Sequence, residues 1–178
     1  MDTRRIREVY DTLVPDFREK VEAVLKLCSK CGYTLVPYCG ARSCEEQAKL
    51  WRQGQTTKSV RHKLEWLRDE GAHFIADCID FVGPQPTKPK VTDAIPGLSY
   101  HQWGLAVDSV AIIEGEACWA PMDMSYQHYA RFADELGLDA GYYWSSRDAV
   151  HIQAQKGRVL DSYSIQEVDE KMRERWGN

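Results

Sequence analysis

Apolar residues recur at helical spacing from the start of the chain. Ile6, Val9, Tyr10 and Leu13 predict a short amphipathic helix that Pro15 ends. A second helix is predicted by apolar residues at the same spacing and a capping glycine beyond them, in the order Phe17, Val21, Val24, Leu25, Cys28 and Gly32. Two helices are therefore expected to open the fold.

Two segments have the form of a capping box, in which a serine and a glutamate three residues later cap the start of a helix. Ser43-Cys-Glu-Glu46 predicts a helix that runs to Gly54. Ser164-Ile-Gln-Glu167 predicts a last, highly charged helix. Helices are thus predicted near both ends of the chain.

Helical periodicity also covers the middle of the chain. It predicts a helical insert over about residues 57–82, in which Gly71 is a kink or a break. Residues 83–90, GPQPTKPK, then predict a loop. A further helix is expected to begin at Asp123 or Ser125.

Short β-rich runs separate these helices. Residues 33–38 form the first run, residues 105–110 alternate as a half-buried strand does, and residues 150–154 predict a third strand. Helices at both ends with short strands between them favour an α+β fold, in which helices flank a small antiparallel sheet.

Composition and charge limit the class of protein. At 178 residues the chain has the length of one domain with its own core, so we predict a single domain over residues 1–178. The 23 basic and 27 acidic residues give a net charge of −4, which disfavours nucleic acid as a partner. No apolar run has the length of a membrane span, and the polar start lacks the pattern of a secretory signal. We expect a monomer that is made in the cytoplasm and does not associate stably with membranes.

Four of the six cysteines lie close together in the sequence, at positions Cys28, Cys31, Cys39 and Cys44. Cys28-Ser-Lys-Cys31 has the spacing of a zinc knuckle or a redox pair. Cys28 also continues the apolar stripe of the second helix, which favours a buried, reduced thiol. The sequence leaves open whether this cluster binds a second metal.

The segment SYHQWGLAVDSV contains two metal-binding side chains, His101 and Asp108, seven residues apart. Seven residues span about 23 Å as a strand and about 10 Å as a helix, whereas ligands of one metal lie within a few ångström. Gly104 permits a bend after which Asp108 can point at the same ion as His101. His151, with Asp148 three residues before it, completes a set of two imidazoles and a carboxylate, as in catalytic zinc sites.

Three motifs in chain order resemble those of the M15 family of zinc peptidases. Residues 99–108, SYHQWGLAVD, look like the family's S-x-H-x-x-G-x-A-x-D signature. Residues 148–151, DAVH, resemble its acidic-residue-x-x-His element, and residues 40–56 are similar to its segment that contains Arg-Ser, Gln, Leu, Gly and Thr in this order. The resemblance covers most of the chain and implies a fold like that of the hedgehog domain and the DD-peptidases.

Within the family, the resemblance is nearest to phage and prophage lysis enzymes, because Gly83-Pro-Gln85 and residues 91–97, VTDAIPG, resemble segments of those enzymes. It implies an endolysin-type peptidase that hydrolyses the L-alanyl-D-glutamate bond of the peptidoglycan stem peptide and reaches the wall after release from the cell. A D-alanyl-D-alanine carboxypeptidase or cross-bridge endopeptidase is the alternative. A non-catalytic, zinc-stabilised binding module is a third hypothesis. We expect no separate wall-binding domain, because no wall-binding repeat follows the motifs.

The resemblance also implies roles for individual residues. His101, Asp108 and His151 would hold one catalytic Zn²⁺, Asp148 would be the catalytic base, and Arg42 would stabilise the oxyanion. The alternative interpretation of Asp148 is a surface carboxylate paired with Arg147. Two imidazoles and a carboxylate suit several divalent metals, so zinc is an implication of the family alone.

Further residues are candidates for substrate binding. Ser43, Gln47 and Ser99 match positions in the family's motifs, and Trp144 is a candidate wall of the cleft. Gln47 would otherwise hold the site in place, Ser99 would be a local hydrogen-bond cap, and Trp144 would be a core residue.

The chain departs from the family pattern around the second histidine. Ile152 and Gln153 stand where many members have an aromatic residue and an acid, and Ala149-Val150 stands where a Trp-Pro pair is common. Because neither departure replaces a predicted ligand, we expect effects on substrate fit and strand geometry.

Overall fold

The computed structural model describes residues 3–85 and 89–177. The chain divides into two compact units, Met1–Ala41 with Trp103–Lys156 (the first unit) and Arg42–Gln102 with Gly157–Asn178 (the second unit). Residues 86–88 of the predicted loop lie outside the described residues. The single domain over residues 1–178 stays a prediction.

Seven α-helices and five strands are present in the described residues. In chain order they are α1 Thr3–Asp11, α2 Pro15–Lys30, β1 Thr34–Cys39, α3 Cys44–Arg52, α4 Thr57–Asp69, α5 His73–Phe81, β2 Ala106–Ile113, β3 Glu116–Cys118, α6 Met124–Glu135, β4 Asp139–Ala140, β5 His151–Gln153 and α7 Ile165–Trp176. Short 3₁₀ turns cover Tyr100–Trp103, Gly141–Tyr143 and Val159–Asp161. The predicted α+β class is confirmed.

The sheet belongs to the first unit, and all its pairings are antiparallel. Its strand order is β1-β2-β5-β4, and β3 pairs with the end of β2. Strand β2 is central, so residues 106–111 are all buried. The prediction of a small antiparallel sheet is confirmed.

The two faces of this sheet differ in chemistry. Val107, Ala111 and Ile152 join the apolar core that α2 and α6 form on one face. Because side chains alternate along a strand, Asp108 and His151 project from the opposite face. Packing of α2 and α6 therefore holds one face of the sheet in place. Asp108 and His151 lie on the other face, away from that core.

Helices α3, α4, α5 and α7 make up most of the second unit. The buried Asp169 of α7 holds the start of α5, because its Oδ1 accepts a hydrogen bond of 2.7 Å from the backbone N–H of Ile75. Its Oδ2 accepts one of 3.1 Å from Arg173. Gly97 packs so closely that an added Cβ would lie 3.0 Å from Met172.

Most of the predicted helix and strand boundaries are confirmed, and one helix boundary is corrected. Gly71 has a φ of +78° and separates α4 from α5, so the helical insert contains the predicted break. The prediction that Pro15 ends the first helix is wrong, because α1 already ends at Asp11 and Pro15 begins α2. Proline suits the first turn of a helix, where its missing N–H would have no intrahelical partner. Of the helices in residues 3–85 and 89–177, none is long and apolar enough to cross a membrane.

Candidate metal centre

Asp108 and His151 form the centre of a polar site in the first unit. They are direct cross-strand partners in β2 and β5, and Asp108 Oδ1 lies 3.0 Å from His151 Nδ1. Both residues are buried, with 9% and 7% of their surface exposed. An antiparallel ladder places such partners on the same face of the sheet, so the two motifs around residues 108 and 151 meet through strand register.

The charge of Asp108 affects the imidazole. Burial lowers the pKa of His151, but the hydrogen bond and the negative charge of Asp108, with smaller contributions from Asp148 and Gln153, raise it above the ordinary histidine value. A buried carboxylate next to a buried imidazole thus favours a cation between them, either a proton or a metal ion.

The pair has the donor chemistry and spacing of two zinc ligands. In tetrahedral coordination at roughly 2.0–2.2 Å, neighbouring ligand atoms lie on the order of 3.3 Å apart. The observed separation of 3.0 Å between Nδ1 and Oδ1 is close to this value. The donor types and their spacing therefore fit a shared divalent metal ion as well as the direct hydrogen bond.

Asp148 is exposed and precedes His151 in a tight turn. The backbone N–H of His151 donates to the Asp148 carbonyl at 3.3 Å, and the N–H of Asp148 donates to the Gly141 carbonyl at 2.9 Å. A Cβ at Gly141 would lie 3.1 Å from the Cβ of Asp148 and closer still to its carbonyl oxygen. The chain thus turns directly before β5, and the close approach of Gly141 fixes the position of this turn.

Cys39, which the sequence groups with the other cysteines and not with the histidine motifs, is a possible donor at this site. A β-bulge at residues 37–39 shifts the β1–β2 register, so Cys39 lies opposite Asp108. The Cys39 Sγ and a carboxylate oxygen of Asp108 lie within 4.8 Å of each other. Tyr38 lies in the same bulge, and burial followed by the charge of Asp108 raises the pKa of its hydroxyl.

The other cysteines of the predicted cluster have separate surroundings. Cys28 is fully buried in α2, and burial raises the pKa of its thiol to about 12, whereas Cys31 is exposed. Cys44 belongs to the second unit, where its thiol forms a hydrogen bond with Cys78 that, with burial, raises the pKa of Cys44. The buried environments of Cys28 and Cys44 suit reduced structural thiols.

The second unit contains His101 and Arg42. His101 lies in the 3₁₀ turn at Tyr100–Trp103 with 1% of its surface exposed, and its carbonyl accepts a hydrogen bond of 3.4 Å from the Arg42 backbone N–H. The Nε of Arg42 is buried and has no hydrogen-bond partner among the described residues. A buried, unsatisfied guanidinium donor is costly, which suits a group that binds an anionic oxygen of a substrate.

The predicted substrate residues of the second unit have local roles. Ser43 forms the capping box of α3 with Glu46. Gln47 is fully buried, donates to the Ala94 carbonyl at 2.8 Å, and accepts from Gln102 at 3.2 Å. The backbone N–H of Ser99 donates to Gln102 Oε1 at 3.3 Å. These contacts suit residues that hold the segments around Arg42 and His101, and substrate binding by them stays a prediction.

Trp144 belongs to the first unit and lies beside His151. Its ring centroid is 5.1 Å from that of His151, and its Nε1 donates to Asp139 Oδ2 at 3.1 Å. The side chain is half-buried. This position supports the interpretation of Trp144 as part of the site.

Comparisons with known proteins identify the family. The profile of VanY, D-alanyl-D-alanine carboxypeptidase, matches residues 11–151. No curated protein matches the chain significantly. Among solved structures, the crystal structure of Serratia marcescens L-Ala D-Glu endopeptidase ChiX has 19% sequence identity and a TM-score of 0.44, with 85% of this chain and 87% of that chain covered. The family profile spans most of the sequence, and the chain therefore belongs to the VanY D-alanyl-D-alanine carboxypeptidase family, whose members are peptidases of peptidoglycan.

Proposed function

We propose that the protein is a zinc-dependent peptidoglycan peptidase in which His101, Asp108 and His151 hold one catalytic Zn²⁺. The observation that carries the proposal is the buried Asp108–His151 pair, whose Oδ1 and Nδ1 lie 3.0 Å apart. Membership of the VanY family supports the third ligand, His101, through its match to the family's histidine motif. The substrate is the stem peptide of the cell wall.

The chemistry of the reaction divides among a few side chains. When bound, a zinc ion would polarise the scissile carbonyl and lower the pKa of water toward about 7. Asp148, exposed in the turn before His151, takes a proton from the attacking water and returns it to the leaving amine. Arg42, whose Nε lacks a partner among the described residues, donates to the oxyanion.

The proposed bond is L-alanyl-D-glutamate, as in phage lysis enzymes that act on the wall after release from the cell. The segments Gly83-Pro-Gln85 and residues 91–97 support this choice. The alternative is removal of the terminal D-alanine, which the name of the matched family favours. We propose that the protein acts as a monomer, without nucleic acid or a stably bound membrane.

Digestion of purified sacculi separates the two bonds. We expect new amino termini on D-glutamate, detected by dinitrophenyl labelling and mass spectrometry, and we expect chelation to abolish their release. Free D-alanine without new D-glutamate termini would replace the proposed bond with the carboxypeptidase alternative. Intact sacculi after treatment with the zinc-loaded protein would contradict a peptidase function.

A specific observation favours a second candidate, a closed zinc site in a non-catalytic binding module. Cys39 lies opposite Asp108 with its Sγ within 4.8 Å of the carboxylate, so a thiolate could complete four protein ligands. Cys39→Ser distinguishes the candidates. The proposed peptidase keeps its zinc stoichiometry and its activity in this variant, whereas a closed site loses most of its zinc affinity.

A further inference from the structure

Gln153 donates both of its amide hydrogens to hydrogen-bond acceptors. Its Nε2 donates to Asp139 Oδ2 at 3.1 Å and to the Gln155 carbonyl at 2.9 Å. A carboxylate and a carbonyl can only accept, so the reverse orientation of the amide would place its oxygen against two other oxygens. The side chain is buried, which makes that arrangement costly. The amide orientation of Gln153 is therefore fixed by its two acceptors.

This orientation determines which nitrogen of His151 carries hydrogen. The Oε1 of Gln153 lies 3.1 Å from His151 Nε2 and, as an amide oxygen, can only accept a hydrogen bond. His151 Nε2 must then be the donor. In the neutral ring the lone pair is on Nδ1, which lies 3.0 Å from the Asp108 carboxylate oxygen. Two facing lone pairs repel each other unless a cation lies between them.

Asp139 supports this arrangement by accepting hydrogen bonds from two side chains next to His151. Its Oδ2 accepts hydrogen bonds from Gln153 Nε2 and from Trp144 Nε1, each at 3.1 Å. Trp144 in turn packs its ring at a centroid distance of 5.1 Å from the His151 ring. One carboxylate oxygen thus holds two of the side chains that contact the imidazole, Gln153 and Trp144.

We propose that Asp139 and Gln153 are positioning residues that fix His151 with Nε2–H as donor and Nδ1 as the metal ligand. The inference rests on the proposed function, because it assigns His151 to the metal. Outer partners of this kind orient a ligating histidine and raise its basicity. The amide of Gln153 accepts from Nε2–H while it donates to Asp139 and to the Gln155 carbonyl, which an ionised carboxylate at this position could not do.

Zinc affinity, measured by competition with a chromophoric chelator, tests the inference. Gln153→Met removes the acceptor and should weaken zinc binding roughly 10- to 100-fold. Asp139→Leu should weaken it similarly, whereas Asp139→Asn keeps an acceptor oxygen for both donors and should restore affinity to about that of the native protein. Gln127→Met, the same substitution on α6 of the same unit, should leave affinity unchanged.

Nitrogen-15 shifts of the His151 ring in the zinc-loaded native protein provide a readout that a purely structural role would not predict. We expect a protonated Nε2 and a zinc-bound Nδ1. The reverse assignment, or unchanged zinc affinity in both Gln153→Met and Asp139→Leu, would overturn the inference and leave the proposed function intact. Failure of the native protein to bind zinc would overturn both. If Gln153→Met does not fold, the Asp139 pair and the native spectrum decide.

Discussion

Asp148 is the residue that distinguishes a hydrolase from a metal-stabilised binding module, because a structural zinc ion needs no adjacent base. Replacing it with alanine removes a proton acceptor and no proposed ligand. We predict that Asp148→Ala binds one zinc ion per chain, measured by atomic absorption, and hydrolyses sacculi about 100-fold or more slowly. Asp134→Ala removes an exposed carboxylate of the same unit that pairs with Lys156 and should behave as the native protein. Undiminished wall lysis by Asp148→Ala would remove Asp148 from the mechanism.

Gly141 controls the position of Asp148 through the backbone. An added Cβ would approach the Asp148 carbonyl oxygen and lie 3.1 Å from its Cβ, so the turn must shift. We predict that Gly141→Ala keeps its zinc but loses at least about 10-fold in hydrolysis, since a misplacement of 1 Å can cost about 100-fold. Gly115→Asn is the control, because its φ of +85° suits asparagine and no atom lies within 4 Å of an added Cβ. Full activity in Gly141→Ala would show that the turn tolerates displacement.

The residues of the site differ in how far the sequence indicates them. Asp108 and His151 stand in motifs with neighbouring acids and glycines, and their cross-strand pairing follows from two correctly predicted strands. Cys39 could not be placed, because a β-bulge shifts register by one residue and leaves no clear signal in the sequence. The amide network of Gln153 depends on side-chain orientations that no spacing rule describes.

The helices that begin with a capping box, α3 and α7, are the elements that local sequence predicts most directly. In α7, Glu167 accepts a hydrogen bond of 2.7 Å from the backbone N–H of Ser164, and this bond lowers the pKa of Glu167 below its ordinary value. A carboxylate with a lowered pKa in the folded state stabilises above its unfolded pKa and loses that contribution as pH falls through the folded pKa.

Glu167→Gln tests this linkage by urea unfolding at several pH values. We predict a lower unfolding midpoint than that of the native protein at pH 7, and a difference that shrinks as pH falls below about 4.3. Glu170→Gln, at an exposed position of the same helix, should show a smaller difference at pH 7. A difference between Glu167→Gln and the native protein that does not depend on pH would contradict the ionic capping box.

Helices and strands with capping residues or a long run of periodic apolar positions can be predicted from the sequence. Very short strands cannot. Helices α3 and α7 begin at their predicted capping boxes. Strands β3 and β4, of 3 and 2 residues, are too short for alternation to appear, and pairing with neighbours alone defines them. The sequence does not decide whether Pro15 ends the first helix or begins the second, because proline is compatible with both positions.

For the whole molecule, the family and the fold class follow from the sequence, but the assembly of the site does not. His101 and Arg42 belong to the second unit, whereas Asp108, Asp148 and His151 belong to the first. The joint role of His101, Asp108 and His151 rests on their match to the family's motifs and on the geometry of the Asp108–His151 pair. It is the central claim of the proposed function.

An anomalous difference map at the zinc edge, from crystals of the zinc-loaded protein, tests this claim most directly. We predict one strong peak that contacts His101, Asp108 and His151 at roughly 2.0–2.2 Å and has a solvent molecule as its fourth ligand. A peak enclosed by four protein ligands, or one that lacks any of these three side chains, would contradict it.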